Sequence, residues 1–556
     1  MGLDSALNIA RSGLVAIQRN LDLVSQNIGN AKTPGYTRKT LVQESVFDAG
    51  GPAGVRLGGV QREIDTAVLA RLDRSRADVA AATTRESALQ GIELAHGTTD
   101  AGTTVADAIT GLLNGFTNLA AAPADAGQQQ TTWFAARTLA QRLNGVADAV
   151  GKARQEAQDG IVTDVATANA ALREIASLTN EIRARRGIET PALEDKRDAA
   201  VASFANIIPA NIVRRPNGEV QLITLNGVLL PLDPNNDVLQ TSSAVTAPAA
   251  YYGVGGSLPG VTLNGTDITK QLSGGSLAEQ IGLRDTILPR YQAELDLTAA
   301  TLAYRFNAEG LALFTDRDGT AVPDVTQPYA GSNQVGFAAR IMANPAIGNN
   351  PALLRDGTHA ITGSPTGPSA FTPNPTGGPA SFTTLIDRVR NYALGAEAAA
   401  GVPWSGIATG GLGPDGSLAS PFIAPAAIAD YAARMTSAQV GDRAAASDAK
   451  DRAATLRDAL QSNNVAVVST ASAGISAEVD NVLAARTQVG ALTQRVTLAQ
   501  TELTNSTQQV QVHMSGLQDA DMAQEAVNLQ TRETAYQAAL AATGRSLNES
   551  LLNFLQ

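Results

Sequence analysis

Catalysis by side chains needs a nucleophile, a base to activate it and a group to orient that base, and this chain is poor in all three. It has no cysteine and only three histidines, His96, His359 and His513, far apart on unrelated local patterns. Thiol chemistry, disulfides and cysteine-held metals are excluded, and no two histidines have metal-ligand spacing. The adjacent acids Glu194 and Asp195 follow Thr190-Pro191, a helix start where negative charge complements the helix dipole. Asp316, Asp318 and Gly319 imitate the opening of a calcium loop, yet the glycine is misplaced and Gln327 stands where a bidentate glutamate is needed. These residues point to neither an enzyme nor a holder of metal or cofactor. A secreted hydrolase finds no nucleophile here.

Packing, not chemistry, is what the chain repeats. Leu7, Leu14, Leu21 and Ile28 recur every seven residues, and Leu3, Ala10, Ile17, Val24 and Ala31 form a second series between them. That is a heptad seam, widened by Ile9, Ala16 and Leu23 into an apolar arc of roughly 160°. One helix cannot bury so wide a stripe, so the expectation is an N-terminal helix that is ordered only when other helices cover it. At the far end Met522, Ala526, Leu529, Tyr536, Leu540, Thr543, Leu547 and Phe554 repeat the alternation of fours and threes, broken at Glu533. Equal period and similar length predict an antiparallel pairing of the two termini.

The 556 residues are enough for several domains. A net charge of -11 with scattered arginines argues against nucleic acid. No apolar run approaches the length of a membrane span, and the N-terminus lacks the basic head and continuous apolar stretch of a cleavable signal. Export, if it occurs, is expected by another route. The turn NIGNAKTPGYTRKTLV, Asn27 to Val42, ends the first helix, with Pro34-Gly35 at the centre of a type II turn. Tyr36 to Val42 reads as extended and the glycines from Gly50 to Gly59 as a flexible connector. Helical periodicity then runs from Gln61 to His96, through Val105 to Leu119, and along Gln128 to Arg185, with a further helix from Pro191. Hairpin signals at Asn217-Gly218, Asn226-Gly227 and Asn264-Gly265 place a small sheet near 206–272. Ile281, Leu288, Leu295 and Leu302 restore a heptad that Pro289 is expected to kink. More than half of the 24 prolines lie between Ala321 and Pro425, which reads as an irregular, β-leaning outer region. From Val468 to Leu517 one heptad position is apolar eight times running, the longest helical signal of all.

Those patterns divide the chain as nested layers of a mainly α protein with β-rich outer parts. Residues 1–42 and 518–556 form an inner antiparallel coiled coil. Residues 43–205, 273–320 and 426–517 form a helical bundle. Residues 206–272 form a small β subdomain, and 321–425 the outer region. The candidate assembly interface is Leu7, Leu14, Ile17, Leu21, Val24 and Ile28 with Leu529, Tyr536, Leu540, Leu547 and Phe554, and the turn motif is Thr33, Pro34, Gly35 and Tyr36.

The amphipathic first helix with its TPGYTR turn resembles the N-terminal signature of bacterial flagellar rod, hook and hook-associated proteins. GVQREIDTAVLARLDRSRADVA, from Gly59, and PALEDKRDAAV, from Pro191, are similar to the hook-associated members that join hook to filament. The ending from Asp519 resembles flagellin and the second junction protein. The resemblance implies a structural subunit that forms a ring of identical copies at the hook-filament junction and is required for filament assembly. It further implies contacts with hook protein and the second junction protein, and secretion through the flagellar type III apparatus with an export chaperone. A second junction protein or flagellin-like axial subunit is the alternative. A coiled-coil adhesin is disfavoured because matched seams at both ends have no use in it.

Overall fold

The computed structural model describes residues 3–30, 33, 35–48, 51–97, 102–185, 190–317 and 322–470, with the backbone alone for 3–11, 14, 17, 48, 51–53 and 462–470. Over these residues the protein is mainly helical with small antiparallel sheets. Helix α1 spans Leu3–Gly29, followed by the paired strands β1 (Lys39–Asp48) and β2 (Gly51–Arg62). The glycine-rich stretch is therefore a strand, not a loose connector. Its pairing runs from Lys39 opposite Arg62 to Asp48 opposite Gly51, with irregularities after Leu41 and Val46. A glycine suits this ribbon where backbones crowd: a Cβ on Gly58 would lie 3.0 Å from that of Val42.

Helix α2 begins at Thr66, not Gln61, because Asp65 caps it by accepting from the backbone N–H groups of Ala67 and Val68. It ends at His96. Helix α3 (Val105–Ala121) starts on a capping box between Thr104 and Asp107, and α4 (Ala126–Ala184) runs unbroken for 59 residues. The expected inner faces are the observed ones: Val105, Ile109, Leu112, Phe116 and Leu119 of α3, and Leu139, Leu143, Val146, Val150 and Ile175 of α4, are all buried. Helix α5 (Pro191–Ile207) places proline in its first turn.

The sheet region holds two three-stranded antiparallel sheets. One is formed by β3 (Ala210–Arg214), β4 (Val220–Thr224) and β5 (Leu229–Leu230), the other by β6 (Leu239–Gln240), β7 (Thr262–Leu263) and β8 (Thr266–Asp267). Asn264 and Gly265 both have positive φ, 48° and 83°, as a two-residue hairpin requires. Phe204, Val220, Leu222 and Leu239 join Leu172 and Ile175 in one core beneath the sheets.

The chain returns to the bundle through α6 (Gly275–Gly282) and α7 (Leu288–Ala308). Between them Leu283–Ile287 widens into one π turn, directly before Pro289, whose ring removes a backbone donor. Helix α7 is buried on nearly every side. Around it gather α3, the first half of α4 and side chains from far downstream: Tyr329, Phe337, Ile341, Leu385, Val389 and Leu412, then Ile428, Tyr431 and Met435 of the long helix α8 (Ile428–Thr470). The proline-rich stretch thus supplies part of the same core as the helices and carries only short paired strands.

Polar spokes bind that stretch to α7. Asp296 accepts from the Tyr329 hydroxyl at 2.7 Å and from the N–H groups of Gly336 and Ala338 at 2.7 and 2.8 Å. Arg305 donates to the carbonyls of Gly395 and Ala426, and the Arg388 guanidinium lies 2.7 Å from the Glu309 carboxylate. Burial pushes the Glu309 carboxyl up to about 7 against the pull of Arg388. The folded chain therefore keeps a proton that the unfolded chain releases near the ordinary glutamate value, so the contribution is complete below that value and lost as pH rises to about 7. Raising the pH from 5 to 8 is expected to lower the thermal midpoint by about 2–4 °C from this group, and Glu309→Gln to flatten the slope. Calorimetry of both proteins across that range measures it, and equal slopes would count against the assignment.

Candidate assembly interface

Helix α1 presents two faces, and the ribbon decides which is which. Ala16 and Leu23, from the widening series, are buried at 3% and 9% exposure, with β1 and β2 packed along the helix. Leu21 and Ile28, from the seam itself, stand 49% and 52% exposed, with Val24 half-buried between them. Leu7, Leu14 and Ile17 lie on the same helix, their side chains outside the described residues, as are Leu529, Tyr536, Leu540, Leu547 and Phe554. The described part of the seam faces outward.

The turn has the expected geometry. Tyr36 N–H donates to the Thr33 carbonyl at 3.1 Å, and Gly35 has φ +79°, the left-handed value that the third residue of a type II turn needs. Pro34 lies outside the described residues. Behind the turn sits a polar cluster that periodicity does not reveal. Asn27 of α1 accepts from the Lys39 N–H at 3.0 Å, donates to the Lys39 carbonyl at 2.9 Å, and accepts from the Tyr36 hydroxyl at 2.8 Å. One amide side chain thus holds the end of α1 against the start of β1.

From there the contacts cross to α5. The Lys39 ammonium lies 2.8 Å from Asp195 and 3.6 Å over the Tyr36 ring, and Thr37 donates to the same aspartate at 2.5 Å. The Arg62 guanidinium, 4% exposed, meets Glu194 at 3.3 Å, Asp195 at 3.1 Å and Asp198, which also accepts from Arg214 at 2.9 Å. Burial alone would raise the Asp198 carboxyl, but Arg62 and Arg214 together draw it below the ordinary value. Burial, with Asp195 nearby, raises the Tyr36 phenol. Glu194 and Asp195 are therefore not merely dipole partners at a helix start: they receive cations brought from more than a hundred residues away. No signal in the linear sequence pairs them with Lys39 and Arg62.

Among the described residues no cluster of acids and histidines could hold a metal ion, and no helix is long and apolar enough to cross a membrane. His96 is buried with its Nε2 2.8 Å from the Gln439 side-chain oxygen, and His359 sits 2.9 Å from the Asn307 carbonyl, so both are packed structural groups. Asp316 accepts from Arg340, as a surface turn residue would. The geometry offers interfaces and joints.

Three family models match the chain in order: flagella basal body rod protein at 7–37, the helical domain of flagellar hook-associated protein FlgK at 94–318, and the bacterial flagellin C-terminal helical region at 473–555. The chain is 25% identical to flagellar hook-associated protein 1 of Salmonella typhimurium over 376 residues, which is 64% of this chain and 67% of that one. It is 26% identical to hook-associated protein 1 of Escherichia coli over 335 residues, 58% and 60% of the two chains. The solved hook junction protein FlgK of Burkholderia pseudomallei is 23% identical, with a TM-score of 0.37 over 45% of each chain. With matches to a rod-type N-terminus, the FlgK helical domain and a flagellin-type C-terminal region in that order, this chain is similar along its length to bacterial flagellar hook-associated protein 1.

Proposed function

We propose that this protein is a structural subunit of the bacterial flagellum, forming the junction ring between hook and filament on which filament assembly depends. The observation that carries the reading is the order of the three matched segments along one chain, joined to an α1 whose described seam residues are turned outward. In this reading Leu7, Leu14, Ile17, Leu21, Val24 and Ile28 pair with Leu529, Tyr536, Leu540, Leu547 and Phe554, and copies of that paired unit pack into a ring. Residues 1–42 and 518–556 are then the inner layer and the described bundle the outer one. The partners are further copies of this chain, hook protein, the second junction protein, and an export chaperone with the type III apparatus that carries the chain outside the cell. The role is mechanical, with no catalytic step.

Electron microscopy of cells lacking this protein tests the proposal: bare hooks with filament subunits shed into the medium are the expected phenotype, and full-length filaments would refute it. The flagellin-type match at 473–555 favours a second reading, the second junction protein or a flagellin-like axial subunit. Purified protein added to hooks lacking one junction protein at a time separates them. Rescue only where the first is missing supports the proposal, and rescue only where the second is missing supports the alternative.

A further inference from the structure

The covalent path from the N-terminal module to the bundle is short, with Glu63 still held to Arg38 of the ribbon and Asp65 already capping α2. Strand β2 ends at Arg62 and α2 begins at Thr66, so three residues, 63–65, link the ribbon to the helices. Between those two anchored ends Ile64 sets a distance but leaves rotation about its backbone dihedrals open. The bridging side chains close that freedom. Asn27 ties the end of α1 to Lys39; Lys39 and Thr37 meet Asp195; Arg62 meets Glu194, Asp195 and Asp198; and all three acids project from the first two turns of α5. Gly35 of the turn lies over the same helix, where a Cβ would come within 3.9 Å of that of Ala199.

We infer that the cluster of Lys39, Thr37 and Arg62 on Glu194, Asp195 and Asp198 is a rigid joint that fixes the direction in which α1 leaves the helical domain.

Three features make it a joint and not surface decoration. Its charges are nearly out of water: the side chains of Lys39, Arg62, Asp195 and Asp198 are 9%, 4%, 11% and 10% exposed. Buried ion pairs add little net stability against an apolar replacement of both partners, but they tolerate only the geometry in which every charge is answered. Asp198 takes donors from two directions, so rotation of the ribbon would strand it on Arg214 alone, strip Asp195 of Lys39, Thr37 and Arg62, and leave the Arg62 guanidinium with no carboxylate. The nearest other charged groups are engaged elsewhere: among the described residues the Arg197 guanidinium turns to the Gly218 carbonyl and Asp73 is taken by Arg76. A subunit that packs with its neighbours through α1 would thereby have its whole helical domain oriented by that contact. That purpose rests on the assembly reading, whereas the rigidity does not.

The absence of cysteine allows a direct test on the full chain. Spin labels on Ser45→Cys, at the exposed half of β1, and Ser177→Cys, on the exposed face of α4, report the angle between ribbon and bundle in a single unassembled subunit. A narrow distance distribution is expected, which Arg62→Met broadens while amide protection across β1 and β2 falls by about 100-fold. A distribution unchanged by Arg62→Met, or already broad without it, would overturn the joint. Should Arg62→Met fail to fold, Lys39→Glu, which sets a second carboxylate against Asp195 and leaves Arg62 in place, decides the matter. Broadening by that change supports the joint, and an unchanged width refutes it. Since the measurement is made on lone subunits, its failure would leave the hook phenotype untouched, and an unexpected hook phenotype would leave the joint untouched.

Discussion

Replacing Leu21 and Ile28 by aspartate is expected to leave the subunit folded and to abolish filament growth. Both side chains are about half exposed in the single chain, and exposed substitutions away from caps and cores shift stability by about 0.5 kcal/mol or less. Ala16 and Leu23, which meet the ribbon, are untouched, so α1 keeps its seat. In the proposed ring the same positions face apolar side chains of the terminal partner and of neighbouring copies. An unpaired carboxylate there costs several kcal/mol at every interface, and a ring repeats that penalty at every subunit. The double variant should therefore give a melting curve within a few degrees of the parent's, be exported, and leave hooks without filaments under the microscope. Wild-type swimming in that strain would refute the assembly role of this face. Leu14→Asp with Leu21→Asp, one turn of the heptad nearer the start of the chain, should behave alike.

A second large effect is expected inside the bundle. Asp296→Ala removes the acceptor for the Tyr329 hydroxyl and the two N–H groups of Gly336 and Ala338 in a site with no solvent access. Leaving a buried donor unanswered costs about 1–3 kcal/mol, so the three together should destabilise the bundle by about 4 kcal/mol after relaxation. Burial lifts this aspartate to about 6 even though Tyr329, Gln292 and the two backbone N–H groups all donate to it and pull it down, a measure of how dry the site is. The loss should appear first as protease cleavage between residues 322 and 340, because those bonds hold that segment to α7. Denaturant titration gives the magnitude. A variant as stable as the parent, with the same cleavage pattern, would mean that Asp296 does not anchor the segment.

Helix periodicity was readable wherever a single helix buries one stripe. The inner residues of α3 and α4 were legible at Val105, Ile109, Leu139 and Val146, and the hairpin at Asn264-Gly265 was legible from its turn residues. Two readings gave way for definite reasons. Glycines between Gly50 and Gly59 read as flexible because their lack of a Cβ removes the usual strand signal, whereas Gly51–Arg62 pairs with β1 and at Gly58 that lack permits the close approach of Val42. Proline density between Ala321 and Pro425 marks irregular backbone, which says nothing about where Phe337, Leu385 and Val389 point; they point into the core around α7.

The candidate interface divides in the same way. Heptad spacing alone identified which faces of α1 are apolar, because a period of seven residues is a property of neighbours in the chain. Which of those faces the subunit covers for itself, and which it leaves for others, depended on where β1 and β2 came to lie. Likewise the acids of α5 were visible as acids, but their meeting with Lys39 and Arg62 arises only once more than a hundred intervening residues have folded back. Local pattern fixes what a segment can bury, since burial preference is carried by each side chain, while long-range charge pairing depends on three-dimensional distance and so belongs to the tertiary structure alone.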